Sequence, residues 1–275
     1  MKKVLKRIGL VIGIIAVLTL IGGVSYGLYK KATLDIPNPV ATIEVENFGT
    51  ITVELYPDKA PNTVANFIRL ANRGYYNGST FHRTIPDFVI QGGSDPEDST
   101  ASPYLSDIMD DISEDEDEEY NIEGEFIANG FNDNNIKHEA GVISMARADY
   151  TSYSSSLTTE SYNSAGAQFF IMTADNSSLD GLYAAFGKVI DGMDVVEEIS
   201  NVEVYYRDDE LEDDDEIPTD EDGNEIDSDT PIEDVVITSI SVETYGIDYG
   251  IPETVEVFDA YSWLLYQYYG YSYSY

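Results

Sequence analysis

Short strand-like stretches, two of which alternate apolar and polar residues, recur through most of this chain. Residues 41–45 and 51–55 alternate in this way, and because alternate side chains of an extended strand lie on the same face, they are typical of a hairpin with one buried face. Six further strand-like runs lie at residues 81–83, 88–91, 142–146, 168–173, 184–189 and 235–242. Eight short strands favour a mainly β fold, an antiparallel sheet closed into a barrel, because closure leaves no exposed sheet edge.

Two segments have helical periodicity instead. Pro61 opens a pattern in which Val64, Phe67 and Ala71 share one stripe, and Gly74 follows its end. The second lies at residues 193–199, with apolar residues on one side. The predicted fold is therefore an eight-stranded antiparallel barrel with two helices.

Three polar segments interrupt the strands. Residues 110–119 hold eight acids, residues 208–229 hold fourteen, and residues 149–162 are rich in Ser, Thr and Tyr. Such runs repel themselves and have little to bury, so they predict mobile surface loops. Around Gly223 the acidic spacing departs from a calcium loop, with Pro218 at its first position, so we expect only loose screening by Ca²⁺.

Charge is distributed unevenly. Residues 1–31 contain six basic residues and no acid, whereas residues 32–275 contain 8 basic and 52 acidic residues. An acidic body repels phosphate backbones and anionic lipid surfaces, so we expect no nucleic-acid partner. The chain has no cysteine, which excludes disulfides, thiolate metal sites and cysteine nucleophiles.

Residues 8–28 form an uncharged run of 21 residues. At about 1.5 Å per residue a helix of this length spans roughly the 30 Å core of a bilayer. Four basic residues precede the run, which predicts a cytoplasmic N-terminus (1–7), a transmembrane anchor (8–29) and an extracytoplasmic body, at the cell membrane. A cleaved signal peptide is the alternative, although no small-x-small cleavage site is evident.

The run FHRTIPDFVIQGG at residues 81–93 combines apolar alternation with one arginine and one glutamine. In extended structure Phe81 and Arg83 share a face, and Val89 and Gln91 lie opposite Ile90. The run therefore predicts a small apolar surface with a cation beside it.

This run resembles the active-site strands of the cyclophilins, the cyclosporin-type peptidyl-prolyl cis-trans isomerases. Four later blocks extend the resemblance over residues 41–243: GVISMARA at 141–148, NSAGAQFFI at 163–171, LDG at 179–181 and FGKV at 186–189. Each block alone is weak, but five in the same order are specific. The resemblance implies a cyclophilin-like barrel that binds X-Pro segments of polypeptides and needs no cofactor or metal.

The resemblance also implies the site. Arg83 would act on the prolyl carbonyl and nitrogen, and Gln91 would position the arginine and the substrate. His82 would stand at the pocket edge, although a lone histidine is more often a packed, hydrogen-bonded ring than a base. The residues implied to bind substrate are His82, Phe88, Val89, Ala146, Arg147, Ala148, Gln168, Phe170, Leu179 and Tyr183.

These interpretations divide the chain further into a linker (30–39), an isomerase domain (40–245) and a Tyr-rich tail (246–275). The domain carries acidic insertions near 95–125 and 205–230 and a polar insertion near 149–162. We expect a floppy or strand-like tail. The expected function is isomerisation of X-Pro bonds in exported polypeptides; the alternatives are a proline-peptide binding module with little turnover and an acidic surface interaction protein.

Overall fold

A computed structural model describes residues 36–94, 101–207, 217–219, 223 and 225–270. The described residues from Asn38 onward form one compact unit. The predicted anchor at 8–29 and most of the predicted linker lie outside the described residues. Within the described ranges, no helix has the length and apolar character needed to cross a bilayer.

The described residues form ten strands, of which eight make one sheet in the order β3-β4-β7-β6-β8-β2-β1-β9. The other two, β5 and β10, pair with each other. The strands are β1 (Val40–Val45), β2 (Gly49–Leu55), β3 (Arg83–Ile85), β4 (Val89–Gly92), β5 (Tyr120–Asn121), β6 (Val142–Met145), β7 (Phe169–Met172), β8 (Ala185–Asp191), β9 (Ile237–Glu243) and β10 (Val255–Glu256).

The large sheet confirms the mainly β prediction, but the predicted closed barrel is wrong. Strands β3 and β9 end the sheet and share no ladder in the part of the chain that is described. They approach where residues 78–81, just before β3, meet residues 235–237 at the start of β9. A bridge joins Thr80 to Val236, and backbone hydrogen bonds link Gly78 and Ser79 to Ile237 and Phe81 to Val235 at 2.7–2.9 Å. The sheet is therefore a curled, open half-barrel.

The described residues contain four α-helices rather than the two helices that the periodicity predicts: α1 (Pro61–Asn72), α2 (Thr158–Tyr162), α3 (Met193–Ser200) and α4 (Ala260–Tyr269). The predicted pair corresponds to α1 and α3. Val64, Phe67 and Ala71 of α1 are buried, as their stripe predicts, and they join the main core with the inward side chains of the sheet. Burial of such side chains is the main stabilising contribution in a domain of this size.

Two segments that were not expected to be helical contain helices. Helix α2 lies in the polar insertion, where Leu157 and Ser161 are buried, so this segment is packed rather than a free loop. Helix α4 lies in the Tyr-rich tail, where the Asp259 carboxylate accepts the Ser262 amide at 2.8 Å. A side chain that satisfies a free amide at the first turn is a typical helix cap.

The segment before α4 is attached to the body by several contacts. Strand β10 pairs with β5, and the Phe258 ring lies 5.1 Å from that of Tyr150. The Asn62 side chain exchanges two bonds with the Glu253 backbone, at 2.7 and 2.8 Å, as a neighbouring strand would. Residues 246–258 therefore cover part of the domain's surface.

Candidate active site

Three predicted site residues lie side by side across neighbouring strands. Arg83 of β3 faces Gln91 of β4, and Gln91 faces Phe170 of β7. Directly opposed residues in an antiparallel sheet present their side chains on the same face. The pairing register therefore places a cation, an amide and an aromatic ring in one row.

The alternation within β4 separates this face from the main core. Ile90 is fully buried in the main core, whereas Val89 belongs to a second apolar cluster on the opposite face. The buried members of that second cluster are Val89, Val142, Phe170, Met172 and Ala185, and Phe88, Ile136, Ala146, Leu179 and Tyr183 pack against them. The row of polar and aromatic side chains thus rests on its own small apolar base.

A cavity of about 190 Å³ opens on this face. Phe170, 5% exposed, lies in its floor, and the Tyr183 ring meets Phe170 edge-on at 5.4 Å. Nine predicted residues line the cavity: Arg83, Phe88, Val89, Gln91, Ala146, Arg147, Phe170, Leu179 and Tyr183. Its apolar floor and cationic wall suit a small ring that carries a polar carbonyl at its edge.

A second cavity of about 220 Å³ adjoins the first and shares Gln91, Ala146 and Arg147 with it. Two more predicted residues, Ala148 and Gln168, line this second space. The Gln91 amide donates to the Gln168 side-chain oxygen at 3.0 Å, which fixes both amides at the junction of the cavities. An extended peptide can therefore lie across both spaces.

Arg147 is held in place between the two cavities. Its guanidinium carbon lies 4.7 Å from the Tyr183 ring centre and 5.1 Å from that of Tyr162. Its nitrogens also donate to the Leu182 and Ala148 carbonyls and to the Ser161 hydroxyl. These contacts tie helix α2 of the polar insertion to the cavity rim, so the insertion forms part of the site.

His82 lies apart from both cavities. Its Nδ1 atom is 3.3 Å from the hydroxyl of the buried Ser94, and burial lowers the pKa of the ring although a hydrogen bond at the Thr80 backbone opposes the shift. Phe81 is fully buried in the main core, so the predicted shared face of Phe81 and Arg83 is wrong. Regular strand structure begins only at Arg83, and alternation does not extend to the residues before it.

His138 was not predicted as part of the site, yet it supports the cavity floor. Its ring stacks on Phe170 at 6.1 Å, and its Nε2 atom is 2.9 Å from the Ser144 hydroxyl. Burial lowers the pKa of His138, although Asp180, 3.4 Å from Nδ1, opposes the shift. The only sequence signal was its rarity, since the chain has two histidines.

Asp229 was also missed. Its carboxylate is 3.8 Å from Arg83 Nε and accepts a hydrogen bond from Arg207 at 2.9 Å. In the sequence it is one acid among fourteen in residues 208–229, so composition gave no reason to single it out.

The geometry defines a class of site: a small cavity of about 190 Å³ with an apolar floor and an arginine at its wall. Within the described ranges, no group of three or more His, Cys, Asp and Glu residues is arranged to hold a metal ion. Such a site can bind a ring by burial and polarise an adjacent amide.

Comparison with known proteins identifies the family. The family model for "Cyclophilin type peptidyl-prolyl cis-trans isomerase" matches residues 40–242. The chain is 37% identical over 160 residues to peptidyl-prolyl cis-trans isomerase B of Bacillus subtilis, covering 58% of this chain and 90% of that protein. The chain therefore belongs to the cyclophilin-type peptidyl-prolyl cis-trans isomerases, a family of enzymes.

A second relative carries the same family name, and a solved structure shares the fold. The chain is 36% identical over 165 residues to a peptidyl-prolyl cis-trans isomerase of Acinetobacter baylyi, covering 57% of this chain and 69% of that protein. A cyclophilin from Cryptosporidium parvum, crystallised in the presence of the dipeptide Ala-Pro, aligns with a TM-score of 0.51 at 24% identity. That alignment covers 74% of this chain and 98% of the other, and it supports the fold alone.

Proposed function

We propose that this domain rotates X-Pro peptide bonds by holding the twisted amide in the cavity beside Arg83. The barrier to rotation is about 18–20 kcal/mol because the C–N bond has partial double-bond character. No covalent bond is made or broken, so catalysis requires only that the twisted amide is bound better than either planar form.

The row of Arg83, Gln91 and Phe170 is the observation that carries this proposal. The proline ring would rest on Phe170 and Val89. As the amide twists, its nitrogen lone pair localises, and a guanidinium at the cavity wall can donate to that nitrogen and to the prolyl carbonyl. Gln91, fixed by Gln168, would orient the arginine and the substrate chain.

Replacing the arginine tests the catalytic proposal. We expect Arg83→Ala to lower kcat/KM for an X-Pro peptide by about 10²–10³, the usual effect of removing one preorganised donor. Exchange would be followed by NMR on a peptide that shows both isomers. Arg73→Ala is the matched control, because Arg73 pairs with the exposed Asp110 and does not line the cavity.

The outcomes separate the alternatives. Comparable exchange by wild type and Arg83→Ala would contradict the role of Arg83. Peptide binding without exchange in the wild type would favour a binding module. Neither binding nor exchange would favour an acidic interaction protein.

We further propose that the domain acts on exported polypeptides at the outer face of the cell membrane. The uncharged run at residues 8–28 and the basic residues before it support this location. Protease added to intact cells, once any outer barrier is removed, should digest the domain while the membrane stays sealed. Protection of the domain until the membrane is lysed would contradict the proposal.

A further inference from the structure

We propose that Asp229 is a positioning residue for Arg83, so that the C-terminal end of the insertion near 205–230 takes part in the isomerase site. This inference rests on the proposed catalytic role of Arg83. Asp229 lies at the end of the acidic run, and its side chain is only 6% exposed. Burial sets it apart from acids such as Asp227 and Glu225 of the same insertion, which are exposed.

The backbone of Asp229 is fixed against β3. Its carbonyl accepts the Thr84 amide and its amide donates to the Tyr206 carbonyl, both at 2.9 Å. The residue has φ of +60°, a conformation that Asp and Asn adopt more readily than most other residues. These backbone contacts do not involve the carboxylate, and they hold Asp229 beside Thr84, the residue that follows Arg83.

The carboxylate lies between two arginines. Its Oδ1 accepts a hydrogen bond from Arg207 Nη1 at 2.9 Å, and its Oδ2 lies 3.8 Å from Arg83 Nε. The same Arg207 nitrogen donates to the Thr84 carbonyl at 2.8 Å, which fixes Arg207 in turn. A buried carboxylate is stable when such charged and hydrogen-bonded partners surround it.

The longer of these two distances has a functional consequence. A separation of 3.8 Å exceeds hydrogen-bond range, so Asp229 attracts the Nε edge of Arg83 without using one of its donors. In the part of the chain that is described, no protein acceptor takes a hydrogen bond from the Arg83 guanidinium. Its donors are therefore free to reach a bound amide while Asp229 restricts where the group lies.

Restricting Arg83 matters because its side chain is long and 37% exposed. A free arginine has many rotamers, and ordering one when substrate binds costs conformational entropy. A carboxylate that already selects the productive rotamer removes part of that cost, as preorganisation does in other sites.

A purely structural role is the alternative: Asp229 could serve only to attach the insertion to β3 through Arg207. The two roles differ in what Arg83 contributes. A structural defect lowers activity whatever residue occupies position 83, whereas a positioning defect has no further effect once the guanidinium is gone.

Asp229→Asn is the variant of choice, because Asn tolerates the positive φ and still offers Arg207 an oxygen. We expect kcat/KM for an X-Pro peptide to fall about fivefold, with most of the loss in kcat. In an Arg83→Ala background the same change should have no effect. Asp110→Asn, which removes an exposed carboxylate paired with Arg73, is the matched control and should leave kcat/KM unchanged.

A second measurement keeps this test independent of turnover. The Arg83 Nε–H signal, observed by ¹⁵N NMR and assigned with Arg83→Ala, should shift and broaden in Asp229→Asn but stay sharp in Asp110→Asn. If the wild type shows no exchange activity but the Arg83 signal still shifts in Asp229→Asn, the proposed function is overturned and the positioning role is not.

Two results would overturn the inference itself. One is an Arg83 signal that Asp229→Asn leaves unchanged. The other is a loss of exchange activity of the same size in the wild-type and Arg83→Ala backgrounds, which would assign Asp229 to structure alone.

Discussion

The histidine beneath the cavity floor shows how a single side chain can matter without contacting substrate. His138 is 2% exposed, stacks on Phe170 and joins β6 through the Ser144 hydroxyl. A neutral imidazole can pack against an aromatic ring and a hydroxyl at low cost, whereas a buried cation loses its hydration. The floor therefore depends on this ring remaining uncharged.

That dependence gives a prediction about pH. Burial lowers the pKa of both His82 and His138 below the usual value of about 6.5. At a pH between the lowered pKa of the folded protein and the pKa of about 6.5 in the unfolded chain, the unfolded chain binds more protons. The free energy of unfolding therefore falls as the pH drops below about 6.5. Arginine stays charged across this range, so kcat/KM should be nearly constant from about pH 7 to 9.

The ring protons of the two histidines, followed by NMR, provide the direct measurement. Both should titrate with midpoints below about 6.5, and His82→Asn assigns the signals. A His138 midpoint above this value would mean that the ring is not desolvated as described.

Among the secondary-structure elements, the sequence predicted those whose type is determined by a local pattern of residues. The long strands and α1 follow from alternation and from a helical stripe, and the row of Arg83, Gln91 and Phe170 follows from motifs on neighbouring strands. Strands β5 and β10 have two residues each, too few for periodicity to appear. Helix α4 was missed because its tyrosines favour neither a helix nor an apolar stripe.

Contacts between distant segments were not predictable in the same way. The open edge between β3 and β9 depends on where two ladders stop, and alternation within a strand does not encode that point. His138 and Asp229 likewise acquire their roles from Phe170 and Arg83, which lie far away in the sequence. A run of acids is solvated as a rule, so burial of one member was not expected.

Helix α1 provides a prediction at this scale. Its N-cap residue Ala60 offers no side-chain acceptor, and Glu125 from a distant segment accepts the Asn62 and Thr63 amides at 3.0 and 2.8 Å instead. We expect Glu125→Ala to lower the free energy of unfolding by about 1–3 kcal/mol, because buried donors at a helix start lose their partner. Denaturant unfolding measures the change.

Glu123→Ala is the matched control, since Glu123 is exposed two residues earlier, and it should change stability by less than about 0.5 kcal/mol. Burial also raises the pKa of Glu125 against the opposing bonds from α1. The folded protein therefore binds this proton more tightly, and this group's contribution to stability decreases as the pH rises through its ordinary value toward the raised one. Equal effects of the two alanine variants would contradict the capping role.

For the whole molecule, charge is the dominant property. The chain has a formal net charge of −38 at pH 7, and the acids of residues 110–119 are mostly exposed. The electric field of this negative surface attracts cationic polypeptides. Salt limits the distance over which it acts, because the Debye length is about 10 Å at 0.1 M ionic strength.

We therefore expect kcat/KM for a Lys-flanked X-Pro peptide to exceed that for its Glu-flanked counterpart at low salt. The ratio should approach one as the ionic strength rises to about 1 M, where the Debye length is about 3 Å. A series of NaCl concentrations with both peptides measures this ratio. A ratio that salt leaves unchanged would assign the preference to the cavity itself rather than to the surface field.

The pairing of β1 with β9 also constrains when the domain can fold. The ladder joins Val40 to Glu243, the two ends of the domain, and β9 is the last strand of the large sheet to be synthesised. Until β9 has left the ribosome, β1 has only β2 beside it, and its other edge is open to pairing with foreign strands. An enzyme whose proposed task is to assist the folding of other chains must therefore have its own β9 available before the edge of β1 is covered.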